Sequence, residues 1–370
     1  MHILQKQLQF CVICGLWPPP SSAPMIRRFI YAVYSWYMLI LIHISVLSQF
    51  MDLILNVKTQ DDFTDNFYIF VTCVLSLQKA HSLLNNRKNI IFMIGLLNSE
   101  PFRPESKEEA EIRNRIDRIT QKSASYYAIL VESSVMMLSL GTLLKPEPRP
   151  LPYRIWIPCN YTALLTYCSI YTLQYVALAL NAMMHIACDS IICGLFLHTY
   201  GQIEILGCRL KTIKENENKT SKLCARYNDL IYRFTAKLNK QFEIPIFSQF
   251  AVSTLTICFN LYILTGSEIT TIRYLEIIMY SSCMLTQIFI YCWCGNEIKL
   301  KSLEISNMIF QLDWTPFDRD TKRNILTMMM RASSPIEITS VRMLSVNLDS
   351  FVALLKTSYS AYNVLQRGEG

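Results

Sequence analysis

Residues 29–50 read FIYAVYSWYMLILIHISVLSQF, a run without Asp, Glu, Lys or Arg that follows directly on the basic pair Arg27-Arg28. The hydrocarbon layer of a bilayer is about 30 Å thick, so about 20 apolar residues in a helix cross it, and a flanking basic pair marks the cytoplasmic end. This run is a spanning helix. Outward from it, further stretches of the same kind recur at 63–84, 124–144, 155–186, 244–267 and 275–296. In the second, Asp65 and Lys79 stand near the ends, where a long side chain can reach the interface; in the third, Glu132 lies inside. The fourth continues past Asp189 to Glu204, a distance too short for another crossing, so its second half is expected to project from the bilayer as one continued helix. The composition agrees: of 370 residues 52% are hydrophobic and only 17% charged, against about 25% charged in an ordinary soluble domain.

The seventh stretch, 341–365, differs in kind. Ser345, Asp349, Val352, Lys356, Tyr359 and Asn363 follow one another at gaps of four and three, which puts them on one face of a helix. A charge at the bilayer centre costs at least about 2.5 kcal/mol on insertion scales, so this stripe faces protein or a water-filled path, not lipid. A pore lining and a packed polar contact between helices both satisfy that demand. The expected architecture is therefore all-α, a single seven-helix membrane domain over residues 1–370.

Loop charges set the orientation. Basic residues crowd the connection between the second and third spans (Arg87, Lys88, Arg103, Lys107, Arg113, Arg115, Arg118, Lys122) and the one between the fourth and fifth (Arg209 to Lys240), whereas the loop after the first carries Asp52, Asp61, Asp62 and Asp65 against Lys58. The N-terminus is thus expected in the cytoplasm and the C-terminus outside. Of the sequons at Asn160 and Asn218, the second is then cytoplasmic and unmodified.

This orientation is opposite to that of a G-protein-coupled receptor, and neither Asp-Arg-Tyr after span three nor Asn-Pro-x-x-Tyr in span seven occurs. His2, His43, His81, His185 and His198 include no pair at three or four residues' spacing, and Cys11-x-x-Cys14 and Cys292-x-Cys294 have no second half, so no metal site and no cofactor are expected. The net charge of +7 fits cytoplasmic loops beside anionic lipid in a multi-pass plasma-membrane protein, not nucleic-acid binding.

Two ends of the chain carry a family resemblance. Gly15-Leu16-Trp17-Pro18-Pro19 resembles the Gly-x-Trp-Pro segment ahead of the first span in insect odorant receptors, especially those of the hymenopteran type. Residues 291–297 (YCWCGNE), 302–314 (SLEISNMIFQLDW) and 345–366 (SVNLDSFVALLKTSYSAYNVLQ) are similar to that family's last two spans and the cytoplasmic link between them. The closing Thr-Tyr and Gln-Phe pattern of the sister gustatory family is absent.

The resemblance implies the odorant-binding subunit of a ligand-gated cation channel, a hetero-oligomer, expected to be a tetramer, with an olfactory co-receptor, the last helix of each subunit lining a central pore. It places the hydrophobic gate on Val364 with Leu365 beside it. Lys356 and Arg367 depart from a cation path and imply a weaker selectivity contribution from this subunit. The implied subunit contacts lie at 203–210, 231–242 and 299–326, where Ile305, Met308, Ile309 and Leu312 repeat at helical spacing; packing within the chain explains that face equally well. By depth, the implied pocket for a small hydrophobic odorant is Phe67, Tyr68 and Val71, Ser134, Met137 and Gly141, Tyr161, Leu164 and Cys168, with Tyr280 and Met284. A stand-alone gustatory-type channel is the alternative, and a G-protein-coupled heptahelical receptor a more distant one.

Overall fold

The computed structural model describes residues 3–20, 22–144, 150–158, 163–213, 218–264, 270–341 and 344–367. The helices are α1 (Gln5–Ile13), α2 (Met25–Leu55), α3 (Gln60–Leu97), α4 (Lys107–Leu143), α5 (Leu164–Lys211), α6 (Asn218–Leu264), α7 (Thr271–Phe310), α8 (Arg319–Ala332) and α9 (Leu348–Arg367); β1 (Thr339–Ser340) and β2 (Leu344–Ser345) form a small antiparallel hairpin before α9. Helices α2 to α7 are each long and apolar enough to cross a membrane.

α2 shows why water cannot be the solvent. Phe29, Ile30, Trp36, Tyr37, Ile44 and Leu47 all stand outward and more than half exposed, a continuous apolar surface that soluble monomers do not present. α5 is the opposite case. From Met184 to Leu197 every side chain is buried, as expected of a helix that is hydrophobic all round. α5 is one uninterrupted helix of 48 residues, about 72 Å at 1.5 Å per residue, so its second half does project beyond the bilayer. It is the axis on which α1, α3, α4, α6 and α7 pack.

Three local departures from the sequence reading have physical causes. α5 begins at Leu164, not near Ile155, because Pro150, Pro152 and Pro158 remove backbone donors from the stretch before it. That stretch folds over the outer end of the bundle instead: Tyr153 is buried with its hydroxyl 2.8 Å from Ser45 Oγ, the Trp156 amide donates to the Ser48 carbonyl at 3.0 Å, and Arg154 pairs with Asp52 and Asp62. α9 begins at Leu348, capped by Asn347 Oδ1 accepting from the Ser350 amide at 2.9 Å, so the polar stripe starts at Asp349; Ser345 sits in β2 opposite Thr339 and is not part of it. Lys79 does not snorkel: it is 1% exposed in the bundle centre.

The segment Gly15 to Pro19 has a structural explanation. α1 and the turn after it are stapled to α2, with the Tyr31 hydroxyl donating to the Val12 carbonyl at 3.0 Å, Tyr34 to Ile13 at 2.5 Å and Ser35 to Gly15 at 2.5 Å. The Arg87 guanidinium lies 5.2 Å from the Trp17 ring centre and donates to the Pro18 carbonyl at 2.9 Å. Gly15 has φ +73°, and a Cβ there would stand 3.0 Å from Ser35 Cα. A left-handed conformation costs an L-residue about 1–2 kcal/mol before any crowding. Gly15→Ala is therefore expected to lower thermal stability by about 1–3 kcal/mol in a detergent unfolding series; an unchanged midpoint would refute the close approach.

Beyond the bilayer, Ile305 and Ile309 of α7 are fully buried within the chain, and a Cβ at Gly207 would stand 2.7 Å from the Met308 sulphur. The apolar stripe on this segment is thus used largely inside the subunit. Phe310, Leu326 and Met330 remain outward and exposed.

Candidate functional site

Between α3, α4, α5 and α7 lies a cavity of about 80 Å³, room for several water-sized molecules at about 10–15 Å³ each. Tyr68, Ile69, Thr72 and Cys73 face it from α3; Tyr127, Val131, Ser134, Val135 and Leu138 from α4; Leu178, Asn181, Ala182 and His185 from α5; and Glu276, Tyr280, Cys283, Met284 and Gln287 from α7. The wall is mostly apolar with a few polar groups, the usual make-up of a small-molecule pocket. The Tyr68 and Tyr280 rings meet edge to face at 5.2 Å, and the Thr72 hydroxyl, donating to the Tyr68 carbonyl at 2.7 Å, accepts from the Tyr280 hydroxyl at 2.5 Å. Arg273 roofs the site: it pairs with Asp65 and, at 3.4 Å, with Glu276, and lies 5.9 Å from the Tyr68 ring.

The floor is a buried ionic network. Lys79 Nζ donates to Asp189 Oδ1 and to Gln249 Oε1, each at 2.5 Å. The same carboxylate accepts from the Tyr291 hydroxyl at 2.7 Å, from Gln287 Nε2, and from the Tyr127 hydroxyl at 3.4 Å. Gln249 Nε2 in turn donates to Gln287 Oε1 at 2.7 Å. One carboxylate thus joins α3, α4, α5 and α7, with α6 attached through Gln249. Tyr127 and Gln287 belong to both the cavity wall and this network.

Of the pocket residues expected from the sequence, Tyr68, Ser134, Tyr280 and Met284 line the cavity. Phe67 stacks on Phe63 at 4.8 Å and meets Phe259 at 5.4 Å; Val71 and Met137 are half-buried off the wall; a Cβ at Gly141 would overlap the Glu276 carboxylate. Leu164 and Cys168 face outward and are exposed, and Tyr161 lies outside the described residues, as does Asn160. The misplacement has two causes. In a span both the lipid side and the core side are apolar, so periodicity does not say which face turns inward, and on α3 the inward face is shifted by one residue. On α5 the proline-rich stretch takes the outer level, so the cavity meets the helix more than two turns below Cys168. Thr72, Asn181, His185, Glu276 and the Lys79–Asp189 pair were not singled out as site residues; a charge of each sign in apolar stretches was their only trace. His43 and His81, far apart in sequence, meet across α2 and α3 with Nε2 atoms 3.2 Å apart.

The second feature is α9. Leu354, Ser358 and Tyr362 are buried, Ser358 Oγ donating to the Thr254 carbonyl of α6 at 3.3 Å, and Phe351 meets Phe289 of α7 at 5.7 Å. On the other side Asp349, Val352, Lys356, Tyr359 and Val364 are exposed, with Asn363 at the edge. The side chain of Leu365 lies outside the described residues.

A family model described as 7tm Odorant receptor matches residues 59–359. The chain belongs to the insect odorant receptor family. Its similarity to two family members extends over nearly the whole length: Odorant receptor Or1 of Anopheles gambiae is 24% identical, with 96% of this chain and 93% of that one covered, and Odorant receptor 46a, isoform B, of Drosophila melanogaster is 24% identical, with 98% and 97% covered. The fold matches solved structures of olfactory receptor OR5 from Machilis hrabei, in complex with eugenol (TM-score 0.85, 17% identity) and without it (TM-score 0.82, 18% identity), covering 98% of this chain and 97% of those. This odorant receptor is accordingly a multi-pass membrane protein, and α9, following the six long apolar helices α2 to α7, completes its seven spans.

Proposed function

We propose that this chain is the odorant-binding subunit of a ligand-gated cation channel that it forms with a co-receptor subunit, the cavity between α3, α4, α5 and α7 taking a small, largely apolar odorant and the outward face of α9 lining the path. The observation that carries this reading is the face of α9. In a lone subunit Lys356 and Asp349 would meet lipid, which membrane helices avoid; further subunits around a water-filled path remove the difficulty. Four copies of this chain would ring that path with four Lys356 ammonium groups, an arrangement suited to anions. A mixed assembly dilutes that charge, which favours a co-receptor over a stand-alone channel. The outward Phe310, Leu326 and Met330 suit contact with neighbouring subunits. That the Machilis receptor was solved with eugenol supports a ligand of that order of size.

Gating requires that the odorant bind the open state better than the closed one. The shared residues Tyr127 and Gln287 offer the route: a ligand that moves them acts on the Asp189 network, hence on α7, against which α9 packs. Whole-cell current is the test, recorded with and without a co-expressed insect co-receptor over a panel of volatiles. Odorant-evoked current only in the pair is expected; current from this chain alone would mean a stand-alone channel. Within the pair, Tyr280→Ala is expected to change the rank order of ligands by about tenfold in half-maximal concentration, a change of about 1.4 kcal/mol, and Val364→Ala to raise the current without ligand. No effect of either would remove both assignments.

A further inference from the structure

The polar atoms of the cavity are unevenly matched. Tyr280 donates its hydroxyl proton to Thr72, Thr72 to the Tyr68 carbonyl, and Tyr127 and Gln287 donate to Asp189. On the α5 side, two acceptors of lining residues have no hydrogen-bond partner among the described residues: Asn181 Oδ1 and His185 Nδ1. They belong to side chains one turn apart on α5, on residues 3% and 6% exposed. The proton on His185 is fixed by its neighbour. Nε2 lies 3.0 Å from the Thr72 carbonyl, which can only accept, so Nε2 carries the hydrogen. An unpaired charge would be costly in this wall, so the ring is neutral and Nδ1 carries a lone pair. A buried acceptor without a donor carries a desolvation penalty, which a bound molecule removes if it brings a hydrogen to that place.

We infer that His185, with Asn181 beside it, selects odorants carrying a hydroxyl group, alcohols or phenols, by accepting their hydrogen bond while the apolar remainder packs against Tyr68, Tyr280 and Met284. The inference rests on the odorant-binding reading above. An ether, alkane or ketone of the same size brings no hydrogen and leaves both acceptors unpaired.

Matched probes decide it: 1-hexanol, 1-octanol, phenol and 4-methylphenol against their O-methyl ethers, applied to cells expressing this chain with a co-receptor, surface amounts being measured by labelling. The hydroxyl member of each pair is expected to act at about tenfold lower concentration. His185→Phe should bring that ratio near unity by weakening the hydroxyl members far more than the ethers. His185→Gln, which keeps an acceptor, should retain the preference. If His185→Phe does not reach the surface, Asn181→Leu provides the comparison, with a reduced ratio expected. Ethers as potent as alcohols in the unaltered receptor, or a ratio unchanged in the surface-expressed variant, would overturn this inference alone. Silence to every probe in surface-expressed pairs would overturn the odorant-binding reading and this inference with it.

Discussion

Asp189→Ala is expected to remove most of the receptor from the cell surface. The carboxylate is the acceptor for Lys79, Tyr291, Gln287 and Tyr127, and its loss leaves the Lys79 ammonium, 1% exposed, without a counter-ion. Breaking a buried pair from one side costs about 3–5 kcal/mol, against a total stability of about 5–15 kcal/mol for a folded domain. Asp189→Asn should do almost as badly, because its NH2 would turn a donor toward donors already present and Lys79 would stay unpaired. Lys79→Met combined with Asp189→Leu should recover part of the surface signal, since an apolar pair of similar volume is often tolerated. Recovery should be incomplete, as Gln249, Gln287 and Tyr291 still lose partners. Surface labelling and thermal unfolding in detergent give the measurement. A wild-type level of Asp189→Ala would mean that the network does not hold the bundle together.

Gly295→Ala is expected to reach the surface in reduced amount and to carry little evoked current. Gly295 lies on α7 where the chain leading into α9 passes, and a Cβ there would overlap the Val346 carbonyl oxygen. That carbonyl cannot easily move. Val346 is 2% exposed, its amide donates to the Ile338 carbonyl at 2.8 Å, and the flanking residues are tied by the β1–β2 hairpin and the Asn347 cap of α9. Overpacking costs about 1–3 kcal/mol, and the upper end applies when the obstacle is backbone. The strain is relieved by displacing α9, the helix assigned to the ion path. At matched surface expression the maximal evoked current should fall by about tenfold or more, the consequence of some 1.4 kcal/mol placed on a gating equilibrium. Current at the wild-type level would show that α9 tolerates the shift or does not line the path.

The spans were legible because the bilayer imposes a length and a solvent: FIYAVYSWYMLILIHISVLSQF has few other places to go. The stripe on α9 was legible for the converse reason. Polar groups in a membrane stand out against an apolar background, and Asp349, Val352, Lys356 and Tyr359 do lie on one outward face. The cavity wall was legible in part. Aromatic residues at mid-depth on α3 and α7 were found, but Leu164 and Cys168 turned out to face outward, because hydropathy does not distinguish lipid from core.

By itself, then, the sequence determined that the chain crosses the bilayer as a bundle of seven helices, their all-helical character and the polar last helix, each a consequence of one helix meeting its solvent. Only the tertiary structure decided which face of each helix turns inward, that Lys79 finds Asp189 across 110 residues of chain, that Gly295 must stay bare beneath Val346, and that Asn181 Oδ1 and His185 Nδ1 on α5 are left without a hydrogen-bond partner. These are relations between helices. They depend on rotation and depth of one element against another, set by packing and pairwise polar contacts that leave no periodic mark in the order of residues.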